Sequence, residues 1–275
     1  MKSFLKWAGG KTRTAETLAA LAPPEGFETY IEPFCGSAAV FFVALPDRAV
    51  LADANEDLIV CLQEVARDAE AVMVAVDSHP KRKEHYLAVR SQDPTTLTRT
   101  ERAARTLYLN KMAFRGLWRV NRSGQFNVPW GNYETRRVYD RDGLLLAASA
   151  LQAADIRHDD FREILLKAEP GDWVYLDPPY VPDRAWGDFT RYTSAQFGPA
   201  DQRDLAELCA ELDRNDVRWL LTNSDTKLVR ELYAGFSMHV LPTRRDITLQ
   251  SADRESVDLV VANYVLPHHD ALAAA

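Results

Sequence analysis

The tightest constraint on this chain is a run of seven residues, Val174-Tyr-Leu-Asp177-Pro178-Pro179-Tyr180. Its apolar start reads as a buried strand, and two consecutive prolines cannot continue one, because each lacks an amide donor and locks φ. The chain must stop abruptly where a carboxylate and a phenol sit on a stiff backbone at the carboxyl end of the strand. A plain turn requires neither side chain. An Asp carboxylate beside a fixed carbonyl offers two acceptors to an NH₂ group, and the aromatic ring offers a stacking face to a planar base.

Two further strand ends carry similar signals. Phe27-Glu-Thr-Tyr-Ile-Glu-Pro33 reads as a strand, and Cys35-Gly-Ser-Ala-Ala-Val-Phe-Phe42 as a turn entering a helix, where small residues admit a ligand and helix amides are unpaired. A second strand, Arg48-Ala-Val-Leu-Ala52, stops at Asp53 before a helical pattern from Asn55 to Ala75, so the two strands are expected to be parallel and joined by a right-handed crossover. Asp53 lies about twenty residues beyond the turn, the separation at which a carboxylate accepts from both hydroxyls of a ribose; capping the next helix is the plainer role. Turn and carboxylate together point to an adenosine-containing cofactor.

Between about Asp68 and Asp142 the pattern changes to charged helical stretches and then to a Gly, Asn and Arg-rich segment, Arg115 to Tyr133. This reads as an inserted, mostly helical subdomain, residues 68–142, in a catalytic domain made of 1–67 and 143–275. Alternation resumes with strands near Ala154 to Arg157, Asp172 to Leu176, Val217 to Thr222 and Val257 to Val265, and helices near Phe161 to Ala168, Ala200 to Asp213 and Thr226 to Tyr233. The class is α/β, with a frayed alanine-rich end at 271–275.

The net charge of −7 conceals an asymmetry. Arg99 to Asp142 holds ten basic residues against four acids, a local +6, while the remainder holds 23 against 36, or −13. That is the pattern of a basic face for a polyanion, or of a solvated helix face. Cys35, Cys61 and Cys209 are widely spaced, without a Cys-x-x-Cys pair or a matching His cluster, so neither disulfide nor structural metal is expected. Lysines interrupt the N-terminal apolar run and no uncharged stretch approaches a span, so a cytoplasmic protein that does not enter the membrane is expected.

Asp177 to Tyr180 resembles the Asp-Pro-Pro-Tyr motif of amino-group DNA methyltransferases. Phe4-Leu-Lys-Trp-Ala-Gly-Gly-Lys11 is similar to the N-terminal motif of the Dam-like adenine methyltransferases, Ile31 to Phe42 to their cofactor loop, and Asp53-Ala-Asn-Glu-Asp-Leu58 to their acidic ribose motif. Leu107-Tyr-Leu-Asn110 through Gly124-Gln-Phe-Asn-Val-Pro-Trp-Gly131 resembles their DNA-contacting segment. The order of these motifs matches the family's alpha arrangement.

The resemblance implies a Rossmann-like S-adenosylmethionine-dependent methyltransferase sheet with an inserted DNA-recognition subdomain. It implies site-specific methyl transfer to N6 of an adenine flipped out of double-stranded DNA, in host methylation or in a restriction-modification system with a cognate endonuclease as partner. The enzyme is expected to act as a monomer and to need no metal. The implied catalytic residues are Asp177, Pro178 and Tyr180, with in-line transfer to the amine. Cofactor contacts are implied at Trp7, Lys11, Glu32, Phe34, Gly36, Asp53, Asp160, Phe161 and Asp177. In this reading Lys11 neutralises the methionine carboxylate and Trp7 faces the sulfonium, while a core Trp and a solvated Lys are the plainer roles. DNA contacts are implied at Phe114, Arg115, Leu117, Arg119, Asn121, Asn127, Asn132, Arg136, Arg137, Arg244 and Arg245.

The pattern departs in places. Ala38 stands where a further glycine is common, a methyl group that is tolerable unless φ is positive. Arg115 stands where GATC-specific members often carry Asn, and Asn132 where they carry Arg, which leaves the recognition sequence open. Transfer to another amino group, of cytosine, RNA or a protein amide, and a non-catalytic nucleic-acid-binding role are the alternatives; the Phe126 to Gly131 segment argues for adenine in DNA.

Overall fold

The computed structural model describes residues 1–7, 9–181, 197–244 and 255–267. The apolar runs become strands β1 (Tyr30–Glu32), β2 (Ala49–Asp53), β3 (Ala154–His158), β4 (Trp173–Leu176), β5 (Arg218–Ser224), β6 (Ser237–Arg244) and β7 (Glu255–Ala262). They form one seven-stranded sheet in the order β3-β2-β1-β4-β5-β7-β6. The first five positions run parallel, and β7 is antiparallel to both its neighbours.

The helices are α1 (Ala15–Ala19), α2 (Phe41–Ala44), α3 (Glu56–Asp77), α4 (Lys83–Ser91), α5 (Arg99–Met112), α6 (Arg141–Leu151), α7 (Phe161–Leu165), α8 (Pro199–Arg214) and α9 (Lys227–Leu232). Alternation along the strands sends side chains to two apolar layers. Tyr30, Trp173 and Tyr175 pack with α1, α2, α3, α5 and α6. Ile31, Val174 and Leu176 pack with α7, α8 and α9. A sheet covered on both faces explains why β4 is buried along its whole length. This is the Rossmann-like α/β architecture that the sequence pointed to. Among the described residues no helix is long and apolar enough to cross a membrane.

Three expectations need correction. Strand β6 was not anticipated, because Pro242 and His239 break its pattern; as the sheet's edge strand it can hold a proline. The helix expected after Cys35 is only Phe41–Ala44, and three of the amides before it are already used within the protein. Cys35 N donates to Ala52 O at 2.8 Å, Gly36 N to Asp53 Oδ2 at 3.0 Å and Ala38 N to Cys35 O at 2.6 Å. Ala38, moreover, has φ +52°, the condition under which its methyl group is strained.

The basic segment is the third correction. Arg99 bonds Glu64 at 3.0 Å, Arg102 bonds Asp57 at 2.5 Å and Glu56 at 2.8 Å, Arg105 lies 3.6 Å from Asp57, and Arg141 bonds Glu70 at 2.5 Å. These four arginines fasten α5 and the start of α6 to the acidic face of α3. What is left of the basic face is residues 111–137, with six basic residues against one acid. Helix α3 itself breaks at Asp68 (φ −158°, ψ 80°), whose Oδ1 accepts from Ala71 N at 2.9 Å and restarts it.

Candidate active site and DNA face

Strand order reverses between β1 and β4, and an open parallel sheet binds its ligand outside the carboxyl ends of strands at such a switch point. The ends of β1, β2 and β4 carry Glu32 to Gly36, Asp53, and Asp177 to Tyr180. All three sequence signals therefore meet at one edge of the sheet.

Asp177 is held from two sides. Lys11 Nζ lies 2.7 Å from its Oδ1 and 2.9 Å from its Oδ2, and Thr222 Oγ1 on β5 donates to Oδ1 at 2.8 Å. Burial raises the Asp177 pKa, and the ammonium and the hydroxyl oppose that rise. Lys11 also donates to Gly9 O at 2.9 Å, so three acceptors surround its ammonium, and it lies 4.7 Å from the centre of the Tyr180 ring.

The turn after Asp177 is clamped by residues that the sequence reading missed. Gln202 Nε2 on α8 donates to Pro179 O at 2.8 Å, Asn223 Oδ1 accepts from Val181 N at 3.2 Å, and Ser224 Oγ donates to Val181 O at 2.5 Å. The Pro178 carbonyl accepts no hydrogen bond from the described residues, which leaves it open beside the Asp177 carboxylate. Tyr180 donates its hydroxyl proton to Asp258 Oδ2 on β7 at 2.9 Å, and that same oxygen is 4.0 Å from Lys11 Nζ. Polar residues inside otherwise apolar strands, Thr222, Asn223 and Asp258, are the signal that could have found this clamp.

At the end of β2, Asp53 accepts from Gly36 N at 3.0 Å and Asn55 N at 2.9 Å, which ties the loop after β1 to the start of α3. Burial lifts its pKa to about 6. Glu32 is buried and accepts from Tyr30 Oη at 2.9 Å, and burial drives its pKa well above the carboxylate range. Trp7 lies against Gly36, where an added Cβ would come within 2.8 Å of the indole, and it stacks on Trp118 with ring centres 5.8 Å apart. Phe34, Phe161 and Phe197 form a triangle with ring centres 5.1 to 5.7 Å apart. Asp160 caps α7 through Arg162 N at 2.9 Å and pairs with the Arg162 guanidinium at 3.2 Å. Cys35, Cys61 and Cys209 are buried free thiols, and burial pushes their pKa values up, Cys61 to about 12.

The predicted DNA residues lie on a loop rather than on a long element. Residues 119–127 form a tight turn closed by the Val120 and Phe126 bridge. Asn121 organises that turn, its Oδ1 accepting from Ser123 N at 3.0 Å and Gln125 N at 2.9 Å, so the side chain expected to read a base is engaged locally. Arg119 Nε donates to Asn127 Oδ1 at 2.8 Å. Phe114 is 41% exposed, Arg115 lies over its ring at 5.4 Å, and Leu117 packs partly on the core. Arg115 and Asn132 both have positive φ, +57° and +59°. Asn adopts this conformation easily and Arg does not, so Arg115 departs from the family pattern at a strained position. Arg136 stacks on Tyr133 at 3.4 Å and donates to Lys111 O at 3.0 Å, while Arg137 is exposed. Burial, Lys6 and Arg136 lower the Lys111 pKa to about 8. Arg244 ends β6, and its side chain, Arg245 and the 271–275 end lie outside the described residues.

Comparison with known proteins agrees with this geometry. The model of the D12 class N6 adenine-specific DNA methyltransferases matches residues 7–247. A Type II methyltransferase of Lactococcus lactis subsp. cremoris is 34% identical over 273 residues, 96% of this chain and 96% of the relative. A Type II methyltransferase of Methanocaldococcus jannaschii is 32% identical over 96% of this chain and 99% of its own length. A DNA adenine methylase of Haemophilus influenzae is 34% identical over 95% of this chain and 93% of its own length.

Proposed function

This chain belongs to the D12 class N6 adenine-specific DNA methyltransferases, and from that premise we propose how its own residues divide the work. It is an adenine-specific DNA methyltransferase, and its family uses S-adenosylmethionine. The switch-point residues fit that group: a buried carboxylate at the end of β2, a glycine with no room for a side chain, and an aromatic triangle beside both. When bound, S-adenosylmethionine supplies a methyl group on a sulfonium, an electrophile for a neutral amine.

Asp53 would accept the ribose hydroxyls, Phe34 and Phe161 would hold the cofactor's base with Asp160 at its amine, and Trp7, Glu32 and Gly36 would line the remainder. Asp177 and the Pro178 carbonyl accept hydrogen bonds from the two amine N–H groups of an extruded adenine, which leaves the nitrogen lone pair free for in-line attack, and Asp177 is placed to take up the proton that the methylated amine sheds. Tyr180 stacks on the flipped base. Lys11 belongs to this centre. With three acceptors around its ammonium, it serves to keep Asp177 ionised rather than to bind the methionine carboxylate.

Residues 68–142 act as the target-recognition part of the chain, and the loop 113–137 holds its DNA face. Phe114 and Leu117 are the apolar wedge, Arg115 and Arg119 the base readers, and Asn127, Asn132, Arg136 and Arg137 the phosphate partners, with Asn121 shaping the turn. Arg244 and Arg245 are assigned to the target strand from the sequence motif alone. The substrate is double-stranded DNA and the enzyme acts as a monomer in the cytoplasm. Relatives named DNA adenine methylase and Type II methyltransferase support two settings, solitary methylation or pairing with a cognate endonuclease. An endonuclease gene beside this one decides between them.

The observation that carries the reading is the Asp177 carboxylate, held by Lys11 and Thr222, next to a Pro178 carbonyl that accepts no hydrogen bond from the described residues. Labelled methyl transfer to duplex DNA, followed by digestion to nucleosides, tests it. The parent yields N6-methyldeoxyadenosine, and Asp177→Asn loses about a hundredfold or more in rate while still binding DNA and cofactor. Label on deoxycytidine, or parent-like transfer by the variant, would overturn it.

A further inference from the structure

Asp258 is a buried carboxylate on β7, opposite Ser224 of β5 and Leu241 of β6, and no motif reading reaches it. It lies 5% exposed, beside the buried apolar run Leu259 to Ala262 of the same strand, a costly place for a charge that has no task. Its Oδ2 accepts the Tyr180 hydroxyl at 2.9 Å and lies 4.0 Å from the Lys11 ammonium, which sits 4.7 Å from the centre of the Tyr180 ring and bonds both oxygens of Asp177. We propose that Asp258 is a positioning residue for methyl transfer, which fixes the Tyr180 ring as a stacking platform and shares Lys11 with Asp177.

The physical case starts from the ring. Tyr180 follows two prolines, so its backbone is stiff, but its side chain still turns about χ1 and χ2. A hydrogen bond from the far end of the ring to a strand paired on both sides removes that freedom, and the ring plane is then set before a base arrives. Pre-setting matters because a displacement of about 1 Å at a reacting centre costs on the order of a hundredfold in rate. A buried carboxylate rather than a neutral acceptor has a second consequence. Lys11 lies between two negative groups, and each limits how far the ammonium can move toward the other.

Asp177 feels charged or titratable groups from every neighbouring element: Lys11 on the N-terminal segment, Glu32 on β1, Tyr175 on β4, Tyr180 on the turn and Asp258 on β7. Of these, Asp258 opposes ionisation of Asp177 and Lys11 favours it. Removing the Asp258 charge while keeping an acceptor for Tyr180 therefore lowers the Asp177 pKa. The acid limb of the pH–rate profile, set by loss of the Asp177 carboxylate, then moves to lower pH.

This inference rests on the stacking role of Tyr180, and the test separates the two. Single-turnover methyl transfer is measured for Asp258→Asn, Asp258→Ala, Tyr180→Phe, Tyr180→Ala and the Tyr180→Phe/Asp258→Ala pair, with 2-aminopurine at the target position as a probe of stacking. Thermal unfolding and cofactor affinity report on folding. Asp258→Asn keeps most of the rate, with its acid limb displaced downward. Asp258→Ala loses about as much rate as Tyr180→Phe, roughly three- to tenfold and less than Tyr180→Ala, with cofactor and DNA affinities within about twofold, and quenches 2-aminopurine less. The pair is no worse than the poorer single variant, because both changes break the same bond. Additive losses in the pair, or parent-like transfer and quenching in Asp258→Ala, overturn the assignment of Asp258 alone. Parent-like transfer in Tyr180→Ala overturns the stacking role and this inference with it. Should Asp258→Ala fail to fold, an unmoved acid limb in Asp258→Asn overturns it.

Discussion

The centre around Asp177 and the loop from 113 to 137 are built in opposite ways. At the centre, side chains from the N-terminal segment, β4, β5, β7 and α8 converge, and Lys11, Thr222, Asn223 and Asp258 are all buried. In the loop there is a three-residue turn of helix and two isolated bridges, and Phe114, Arg115 and Arg137 face solvent. Chemistry that must be repeated without error on one amine needs groups that do not move, and sheet ends supply them. Sequence reading must tolerate change from one relative to another, and a loop shaped by its own turn bonds, with side chains exposed at its surface, allows it. Trp7 stacked on Trp118 is where the two meet, one ring resting on Gly36 after β1 and the other inside the 113–137 loop.

If the centre is as fixed as this, damage to it falls on rate and pH dependence rather than on binding. Lys11→Met should lower the rate at neutral pH by about a hundredfold or more, because Asp177 loses the charge that opposes its burial. The sign is definite: the Asp177 pKa rises, so the acid limb moves to higher pH, and calorimetric affinity for S-adenosylmethionine changes by no more than about threefold. A large loss of affinity with an unmoved limb would return Lys11 to the methionine carboxylate. Tyr180→Ala should cost about 1–3 kcal/mol of stacking, roughly ten- to a hundredfold in transfer, with Tyr180→Phe clearly milder because it keeps the ring. A phenylalanine variant as slow as alanine would make the hydroxyl, and not the ring, the essential group.

The comparison extends to the cofactor side, where a smaller effect is expected. With its pKa at about 6, Asp53 is ionised at pH 7.5 and loses its charge as pH falls through 6. S-adenosylmethionine affinity should therefore be flat above neutrality and weaken toward about tenfold per pH unit below pH 6, a dependence that Asp53→Asn removes. Calorimetry from pH 5 to 8 reads this directly, and a flat profile in the parent would place the ribose elsewhere.

What could be read in the sequence follows the same division. Asp177 to Tyr180 was legible because two prolines after an apolar run admit one structural reading, and Asp53 because it ends a strand at a telling distance from a small-residue turn. Thr222, Asn223 and Asp258 were not, since single polar residues within apolar strands acquire meaning only when register places them beside the site. Strand β6 was hidden by Pro242, and the charge of the 99–141 segment misled because Arg99, Arg102, Arg105 and Arg141 pair with acids of α3 that lie 35 to 71 residues away in sequence. Asn121 looked like a base reader by residue type. Its bonds to Ser123 and Gln125 are a turn's own bonds, which composition cannot distinguish.

The central claim is that base chemistry and sequence reading reside in separate regions of this chain. Single-molecule sequencing of a randomised duplex library, methylated by the parent, by Arg119→Ala and by Tyr180→Phe, tests it most directly. The account predicts N6-methyladenine in all three, an unchanged sequence context for Tyr180→Phe, and for Arg119→Ala a loss of discrimination of about 1–3 kcal/mol confined to one position of the site. An unchanged context in Arg119→Ala, or an altered one in Tyr180→Phe, would contradict it.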